Sequence, residues 1–253
     1  MLTPHITSLH HPLVKHLVKI RQDNSYRKQE NIVLICGIKL ITEIARHFPL
    51  KMLITSQKYP DIAAEQMVSV TPQILKKITG LQTPEGIASI VPLPPQSELR
   101  NCKKLLILNE ISDPGNLGTL LRTALALGWE GVFFTEGSAD PFNEKAIRAA
   151  KGATFHLPLR TGSWKDLSLI LQDQQIFVAD LEGSLLNTIV RKEKMALILG
   201  NEARGVSPEA KKMGTSISIP MTPTMESLNV ASAGAILMYL LTQTQSWKDN
   251  LNH

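Results

Sequence analysis

Residues 109–124, NEISDPGNLGTLLRTA, join a loop of helix-breaking residues to a helix that carries one arginine. Gly115, Asn116 and Gly118 leave the backbone open to a ligand, and a helix N-terminus favours anions. Arg122 lies off the apolar stripe of the helix, and no acidic residue stands three or four positions away. Arg122 is therefore a candidate cation for a reacting or bound anion. The alternative is a solvated arginine.

Two later loops also carry polar residues directly after strand-like segments. The first is residues 199–207, LGNEARGVS, which contains Glu202, and the second is residues 219–231, which contain Ser227 and Asn229. Short neutral side chains can orient a hydroxyl or a carboxylate by hydrogen bonding. Glu202 is better suited to holding a side chain or hydroxyl than to acting as a base, and the alternative for it is a surface glutamate.

An alternation of strands and helices must position these loops. The run LLILN at residues 105–109 is typical of a central parallel strand buried on both faces, and ligands of open α/β sheets bind at the carboxyl ends of such strands. The first half also alternates, with strands at NIVLIC, KMLITSQ and GIASIVPLP and helices at IKLITEIARH and TPQILKKITG. The sequence therefore predicts an α/β fold.

The strongest linker signal is PLPPQSELRN at residues 92–101, which has three prolines and no periodicity. It places a domain boundary near residue 96. We expect a smaller N-terminal α/β domain over residues 1–95 and a larger C-terminal α/β domain over residues 96–253.

The charge balance favours an anionic partner, because 27 Lys and Arg face 22 Asp and Glu, giving +5 and a pI near 9.2. Residues 12–20, PLVKHLVKI, have helical apolar spacing, and basic residues lie on and after this segment. Lys15, Arg27 and Lys28 are candidate contacts to RNA phosphates. The alternative is a solvated helix face.

Several classes of protein are disfavoured. Cys36 and Cys102 are too few for a disulfide framework and lack metal-ligand spacing, so no metal site is expected. No signal peptide or run of about 18 apolar residues is present, which predicts a cytoplasmic protein without a membrane span. The loop sequence DPGNLG fits neither a dinucleotide fingerprint nor a P-loop.

Three segments together resemble the motifs of the SpoU family of RNA ribose 2'-O-methyltransferases, within the SPOUT class. They are N-x(6)-N-L-G-x(3)-R-T-A from Asn109, L-G-N-E-x-x-G-V-S at 199–207, and I-P-M-x(5)-S-L-N-V-A at 219–231. The segments SLHHPLVKHLVKI, LICGIKLI and TPEGIASIV also resemble the family's N-terminal substrate-binding domain, whose fold is similar to ribosomal proteins that bind kinked RNA.

The resemblance implies S-adenosylmethionine held in a deep trefoil knot formed by the C-terminal segments. It also implies a homodimer with the active site between subunits, and a structured RNA substrate, ribosomal RNA ahead of transfer RNA. A noncatalytic RNA-binding protein and an enzyme acting on a small anionic metabolite are the alternatives. Arg122 and the triplet Ser227-Leu228-Asn229 are both present, which favours the methyltransferase.

The resemblance also assigns residues. The positions matched to catalysis or to conserved polar motif positions are Arg122, Asn116, Glu202, Ser227 and Asn229. The positions expected to bind the cofactor through strand ends and main chain are Leu199, Gly200, Ile219, Met221 and Leu228.

The sequence departs from the family pattern at three positions. Cys36 stands where an acidic residue is common, Pro223 where many members have glycine, and Leu240 where an acid often follows the tyrosine. None is a motif position assigned to catalysis, so we expect effects on substrate preference or local packing.

Methyl transfer from a sulfonium to a ribose hydroxyl makes the oxygen more negative as its proton leaves. Lowering the pKa of a guanidinium from its usual high value to neutrality would require roughly 7 kcal/mol. We therefore expect Arg122 to stay protonated and to stabilise the developing alkoxide or hold the adjacent phosphate, with a phosphate oxygen or water taking the proton.

Overall fold

The computed structural model describes residues 4–59, 62–185 and 192–243. The chain forms two compact units. The first contains the residues up to Pro94 together with 142–147, and the second contains residues 95–141 together with those from Arg148 onward. In the described ranges, no helix has the length and apolar character needed to cross a membrane, and no three or more His, Cys, Asp or Glu residues form a group that could hold a metal ion.

The first unit has helices around a mixed sheet with the strand order β1-β4-β3-β5-β2. Its elements are β1 (His5–Ile6), α1 (Pro12–Gln22), α2 (Asn24–Glu30), β2 (Ile32–Cys36), α3 (Ile38–Ile44), β3 (Met52–Thr55), β4 (Met67–Val70), α4 (Pro72–Thr79) and β5 (Ile87–Pro92). Strand β5 runs antiparallel to β2 and β3, whereas β3 and β1 run parallel to β4. The predicted strands and helices of this half are present, and β1, α2 and β4 are additional elements that the sequence analysis missed.

Helices α1 and α4 share one apolar core, and α4 is ended by a glycine. Val14, Leu17 and Ile20 recur at helical spacing on α1 and are buried. Helix α4 ends at Gly80, whose φ of 69° lies in the left-handed region. A Cβ at residue 80 would lie 2.4 Å from Nη1 of Arg21, but this flexible side chain can move, so the requirement for glycine comes from the backbone conformation.

The second part of the chain forms a fully parallel sheet with the order β11-β9-β10-β6-β7-β8. Its elements are β6 (Lys104–Leu108), α5 (Pro114–Ala126), β7 (Gly131–Thr135), α6 (Glu144–Ala150), α7 (Ala153–His156), β8 (Leu159–Gly162), α8 (Trp164–Ile170), β9 (Gln175–Leu185), β10 (Met195–Leu199), α9 (Pro208–Lys211), β11 (Thr215–Ser218) and α10 (Val230–Thr242). The predicted parallel α/β architecture is confirmed. The trefoil knot stays a prediction.

The carboxyl ends of the neighbouring strands β6 and β10 bring two of the motif loops together. Leu105 to Leu108 are buried, as predicted for a central strand. Helix α5 is the next element after β6 and the first motif loop. It is capped by Asp113, whose Oδ1 accepts from the backbone N of Asn116 at 2.8 Å. The loop after β10 carries Glu202 towards the start of α5.

Helix α10 packs on α5 and β10 at very short range. A Cβ on Gly234 would lie 2.4 Å from Cδ2 of Leu120 on α5 and 2.6 Å from Cδ1 of Leu199 on β10. Asn229 caps the helix, because its Oδ1 accepts from the backbone N of Ala231 and of Ser232. The third motif loop is therefore anchored next to the other two.

Candidate active site

Glu202 is the centre of the hydrogen-bond network that joins the motif loops. Its Oε2 accepts from the backbone N of Ser112 at 3.0 Å and from the Ser112 hydroxyl at 2.8 Å. Its Oε1 accepts from the backbone N of Asp113 at 3.0 Å and from Nδ2 of Asn116 at 3.1 Å. Four donors occupy the acceptor sites of one carboxylate, so Glu202 organises the first motif loop and the start of α5.

This environment keeps Glu202 ionised. Burial raises the pKa of the carboxyl, but hydrogen bonds from the backbone of Ser112, Glu202 and Asp113 and from the side chain of Asn116 outweigh it and lower the pKa to about 2. A carboxylate with so low a pKa and no free lone pair is a poor general base. The expectation that Glu202 holds partner groups agrees with this geometry.

The third motif joins the same network through Asn229. Its Nδ2 donates to Oδ1 of Asn116 at 3.0 Å, while Asn116 donates its own Nδ2 to Glu202. Three of the residues predicted for catalysis therefore form one chain of hydrogen bonds, Glu202 to Asn116 to Asn229. Residues from all three motifs are thus in direct contact.

A cavity of about 320 Å³ lies beside this network. All the residues predicted to bind the cofactor line it, namely Leu199, Gly200, Ile219, Met221 and Leu228. Glu202 and Ser227 line it as well, and further walls come from the middle of β9 and from α10. The volume lies in the range of small-molecule sites.

The loop after β10 allows backbone to form one wall of the cavity. A Cβ on Gly200 would lie 2.3 Å from the backbone C of Gly205 and the backbone N of Val206, so no larger residue fits there without moving the loop. Asn201 holds the turn, because its carbonyl accepts from the N of Gly205 and its Oδ1 accepts from the N of Arg204. Exposed backbone groups of this kind suit an adenine or a ribose.

The charges of the cavity suit a cationic ligand. Asp180, Glu202 and Glu226 contribute carboxylates, and the described residues that line the cavity include no lysine, arginine or histidine. A sulfonium with an α-ammonium carries positive charge, which carboxylates attract. The residues present therefore fit S-adenosylmethionine.

Arg122 is separate from the cavity within one chain. It lies on α5 with an exposed side chain, and it is not among the residues that line the cavity. No hydrogen bond or ion pair joins Arg122 to any residue in the described part of the chain. The guanidinium is free for a substrate, but a single chain does not bring it to the cavity.

The basic residues predicted for RNA contact differ in exposure. Lys15 and Lys28 are exposed. Arg27 is only 3% exposed, and its Nη1 donates to the carbonyl oxygens of Ile20 and Arg21, both at 2.7 Å. The prediction for Arg27 was wrong, because this guanidinium caps the carboxyl end of α1 and is closed to a phosphate.

Sequence reasoning missed two residues of the site. Ser112 donates twice to Glu202, although nothing in the sequence marks a serine in this loop. Asp180 lies on β9 and lines the cavity. The rule that ligands bind at strand carboxyl ends could have found Asp180, since it follows the apolar run IFVA.

The chain matches two family models. Residues 103–239 match the SpoU rRNA Methylase family, and residues 11–89 match the MRM3-like substrate binding domain. The first match covers more than half of the chain and contains every residue predicted for catalysis or for the cofactor. The second match covers most of the first unit.

Individual relatives agree with the family models. The chain is 37% identical over 169 residues to the 23S rRNA (guanosine(2553)-2'-O)-methyltransferase of Bacillus subtilis, covering 65% of this chain and 67% of that protein. It is 25% identical over 285 residues to the mitochondrial rRNA methyltransferase 3A of Danio rerio, covering 87% of this chain and 66% of that protein.

A solved structure extends the likeness to the fold of nearly the whole chain. The crystal structure of an AdoMet-bound rRNA methyltransferase from Sinorhizobium meliloti matches with a TM-score of 0.84 and 26% identity, covering 94% of this chain and 96% of that one. The motif contacts, the cavity and these likenesses agree, and the chain belongs to the SpoU rRNA methylase family.

Proposed function

We propose that this protein transfers a methyl group from S-adenosylmethionine to a ribose 2'-hydroxyl of ribosomal RNA. The observation that carries the proposal is the hydrogen-bonded contact of Glu202, Asn116 and Asn229 beside an acid-lined cavity. Relatives named as rRNA methyltransferases support ribosomal RNA ahead of transfer RNA. A cytoplasmic location stays a prediction from the sequence.

The cavity residues bind the cofactor, and S-adenosylmethionine supplies the electrophilic methyl group. Leu199, Gly200 and Ile219 offer main chain at the strand ends, and Leu228 offers an apolar contact. Glu202 fixes Asn116, and Asn116 fixes Asn229, so that the start of α5 and the start of α10 keep their spacing. Ser227 is exposed at the cavity edge, where its hydroxyl can hydrogen bond to a ribose or to the cofactor.

Arg122 stabilises the negative charge that develops on the attacking oxygen. A guanidinium stays protonated and offers a planar fork of donors to an alkoxide or a phosphate. The proton of the hydroxyl leaves to a phosphate oxygen or to water. Glu202 is excluded as its acceptor, because its oxygens are already occupied by Ser112, Asp113 and Asn116.

A homodimer completes this site. Ile236, Tyr239 and Leu240 lie three and four residues apart on α10, with exposed fractions of 39%, 49% and 39%. Leu125 on the neighbouring helix α5 is also exposed, and it lies three residues from Arg122. An apolar face of this kind is typical of a protein interface. A second copy on this face buries it and sets Arg122 at the partner's cavity.

The RNA-binding role of the first unit depends on its exposed basic residues. Lys15 and Lys28 remain candidates for phosphate contacts, and the match to a substrate binding domain supports this role. Arg27 has no part in it. The alternative of solvated lysines is distinguished by the salt dependence of RNA binding, since each lost phosphate contact lowers the slope.

The test is methyl transfer from labelled S-adenosylmethionine to ribosomal and transfer RNA purified from cells that lack the gene. We expect label in ribosomal RNA and a methylated ribose that resists alkaline cleavage at one nucleotide. Label in transfer RNA alone would show that the substrate is transfer RNA rather than ribosomal RNA. Binding of the cofactor without transfer to either RNA would favour a noncatalytic RNA-binding protein.

A further inference from the structure

The cavity contains a carboxylate that no motif accounts for. Asp180 lies on β9 between Ala179 and Leu181, and all of these residues line the cavity. Only 13% of the Asp180 side chain is exposed. A carboxylate this enclosed needs partners, and its partners determine what it can still bind.

Lys211 compensates the charge of Asp180 from outside the cavity. Nζ of Lys211 lies 2.7 Å from Oδ2 of Asp180, and Lys211 is not a lining residue. The hydrogen bond from Lys211 lowers the pKa of Asp180, which keeps the carboxylate ionised. The other oxygen, Oδ1, accepts from the backbone N of Glu182 at the long distance of 3.4 Å, and the backbone of Leu181 also donates to the carboxylate. A carboxylate has about four acceptor sites, so these three donors leave it acceptor capacity.

The other carboxylates of the cavity differ from Asp180 in this respect. Glu202 accepts four hydrogen bonds and has no acceptor site left. Glu226 lies on an exposed loop before Ser227, so its position is not fixed by a packed element. Asp180 is thus the carboxylate that combines a fixed position with a free acceptor site.

A neutral donor suits Asp180 better than a second cation. An ammonium group would compete with Lys211 for the same charge, whereas a hydroxyl only needs a free lone pair. S-adenosylmethionine carries neutral donors of this type on its ribose, as a pair of adjacent hydroxyls. Carboxylates of Asp and Glu bind ribose hydroxyls in other α/β proteins.

We propose that Asp180 binds the ribose hydroxyls of the cofactor. This inference rests on the proposed function, because it requires that the cavity takes S-adenosylmethionine. According to this inference, Asp180, which lies outside the three motifs, selects a cofactor that contains ribose. Lys211 is a positioning residue that fixes the orientation of the carboxylate through Oδ2.

The test compares the affinity of the full chain for S-adenosylhomocysteine with its affinity for the 2'-deoxy and 3'-deoxy analogues, measured by calorimetry. For the wild-type protein we expect at least one analogue to bind roughly ten- to a hundredfold more weakly, which is the usual effect of a hydrogen bond to a charged group. Equal affinities for all three ligands would overturn the inference. Failure to bind S-adenosylhomocysteine at all would instead overturn the proposed function.

Variants of Asp180 and of a control residue show whether Asp180 causes this difference in affinity. In Asp180→Ala we expect weaker binding of S-adenosylhomocysteine. We also expect the ratio of its affinity to the affinity of the deoxy analogues to be close to one. Glu226→Gln is the matched control, because it removes a carboxylate from the same cavity and should keep the wild-type ratio. If Asp180→Ala does not fold, Asp180→Asn should reduce the ratio several-fold. An unchanged ratio in a folded Asp180 variant refutes the assignment.

Discussion

Asn229 donates a hydrogen bond to Asn116 at 3.0 Å and at the same time caps α10. One side chain thus serves both the stability of a helix and the contact between the first and third motifs. The two roles use different atoms, since the oxygen caps the helix and the amide nitrogen reaches Asn116. Substitutions that separate these atoms can therefore separate the roles.

Asn229→Asp should leave stability near that of the wild type but impair cofactor binding. An aspartate oxygen still caps the helix. A carboxylate cannot donate to Asn116, however, and its second oxygen would face Oδ1 of Asn116, so that two acceptors would meet. Asn229→Ala should lose about 1 kcal/mol of stability, because the cap is lost as well. Urea unfolding and calorimetry with S-adenosylmethionine measure the two effects. Equal loss of stability in both variants would contradict the separation.

Arg122→Ala should abolish most activity and leave the fold intact. The side chain is exposed and makes no hydrogen bond or ion pair with a described residue, so we expect stability to change by no more than about 0.5 kcal/mol. Loss of a donor that stabilises charge in the transition state should lower kcat by roughly a hundred- to a thousandfold. Labelled methyl transfer to ribosomal RNA gives the rate.

Arg122→Lys is the sharper variant, because it keeps the charge and loses only the planar fork. We expect it to remain strongly impaired, with unchanged affinity for RNA. Near wild-type turnover at neutral pH would show that the fork is dispensable and that the assigned role is wrong.

Glu202 should make stability depend on pH below about 5. Its pKa is lowered from 4.5 to about 2 in the folded protein, so its contribution is fully present above pH 4.5 and is lost as the pH falls towards 2. The isosteric variant Glu202→Gln does not titrate. We expect the difference in stability between wild type and Glu202→Gln to be largest near neutrality and to shrink between pH 4.5 and 2, as measured by urea unfolding. A constant difference over that interval would contradict the pKa.

Arg27 and Lys28 are neighbours in sequence but should behave oppositely. Arg27→Met leaves the carbonyls of Ile20 and Arg21 without their buried donor, which should cost about 1 to 3 kcal/mol of stability. Lys28→Ala should leave stability unchanged and weaken RNA binding, with a salt slope that is smaller by about one. Unfolding curves and RNA affinity at several salt concentrations test both. A stable Arg27→Met variant with weak RNA binding would restore the original prediction.

Gly200→Ala should distort the cofactor cavity. The new Cβ would meet the backbone of Gly205 and Val206 at 2.3 Å, and backbone atoms cannot move aside as a flexible side chain can. We expect a loss of affinity for S-adenosylmethionine together with a lower melting temperature. Gly128→Ala is a useful control, because no atom lies within 4 Å of its Cβ and its cost comes from a φ of 70° alone. The control should lose stability but keep cofactor affinity.

Apolar runs predicted the parallel sheet, and the resemblance to the SpoU family predicted the residues that line the cavity. The run LLILN corresponds to the buried strand β6, and the predicted cofactor residues line one cavity because strand ends meet at one edge of a sheet. Strand β4 was missed, since its alternation spans only Met67 to Val70. Arg27 and Ser112 could not be assigned, because burial and hydrogen bonds between distant loops depend on tertiary packing that local patterns do not encode.

The distances in sequence that the site spans also determine when it can form. Asn116 and Asn229 are 113 positions apart, and Ser112 and Glu202 are 90 apart. During synthesis the chain emerges from the N-terminus, and such non-local contacts must wait until both partners are available. The ability to bind the methyl donor is therefore gained only once α10 has left the ribosome.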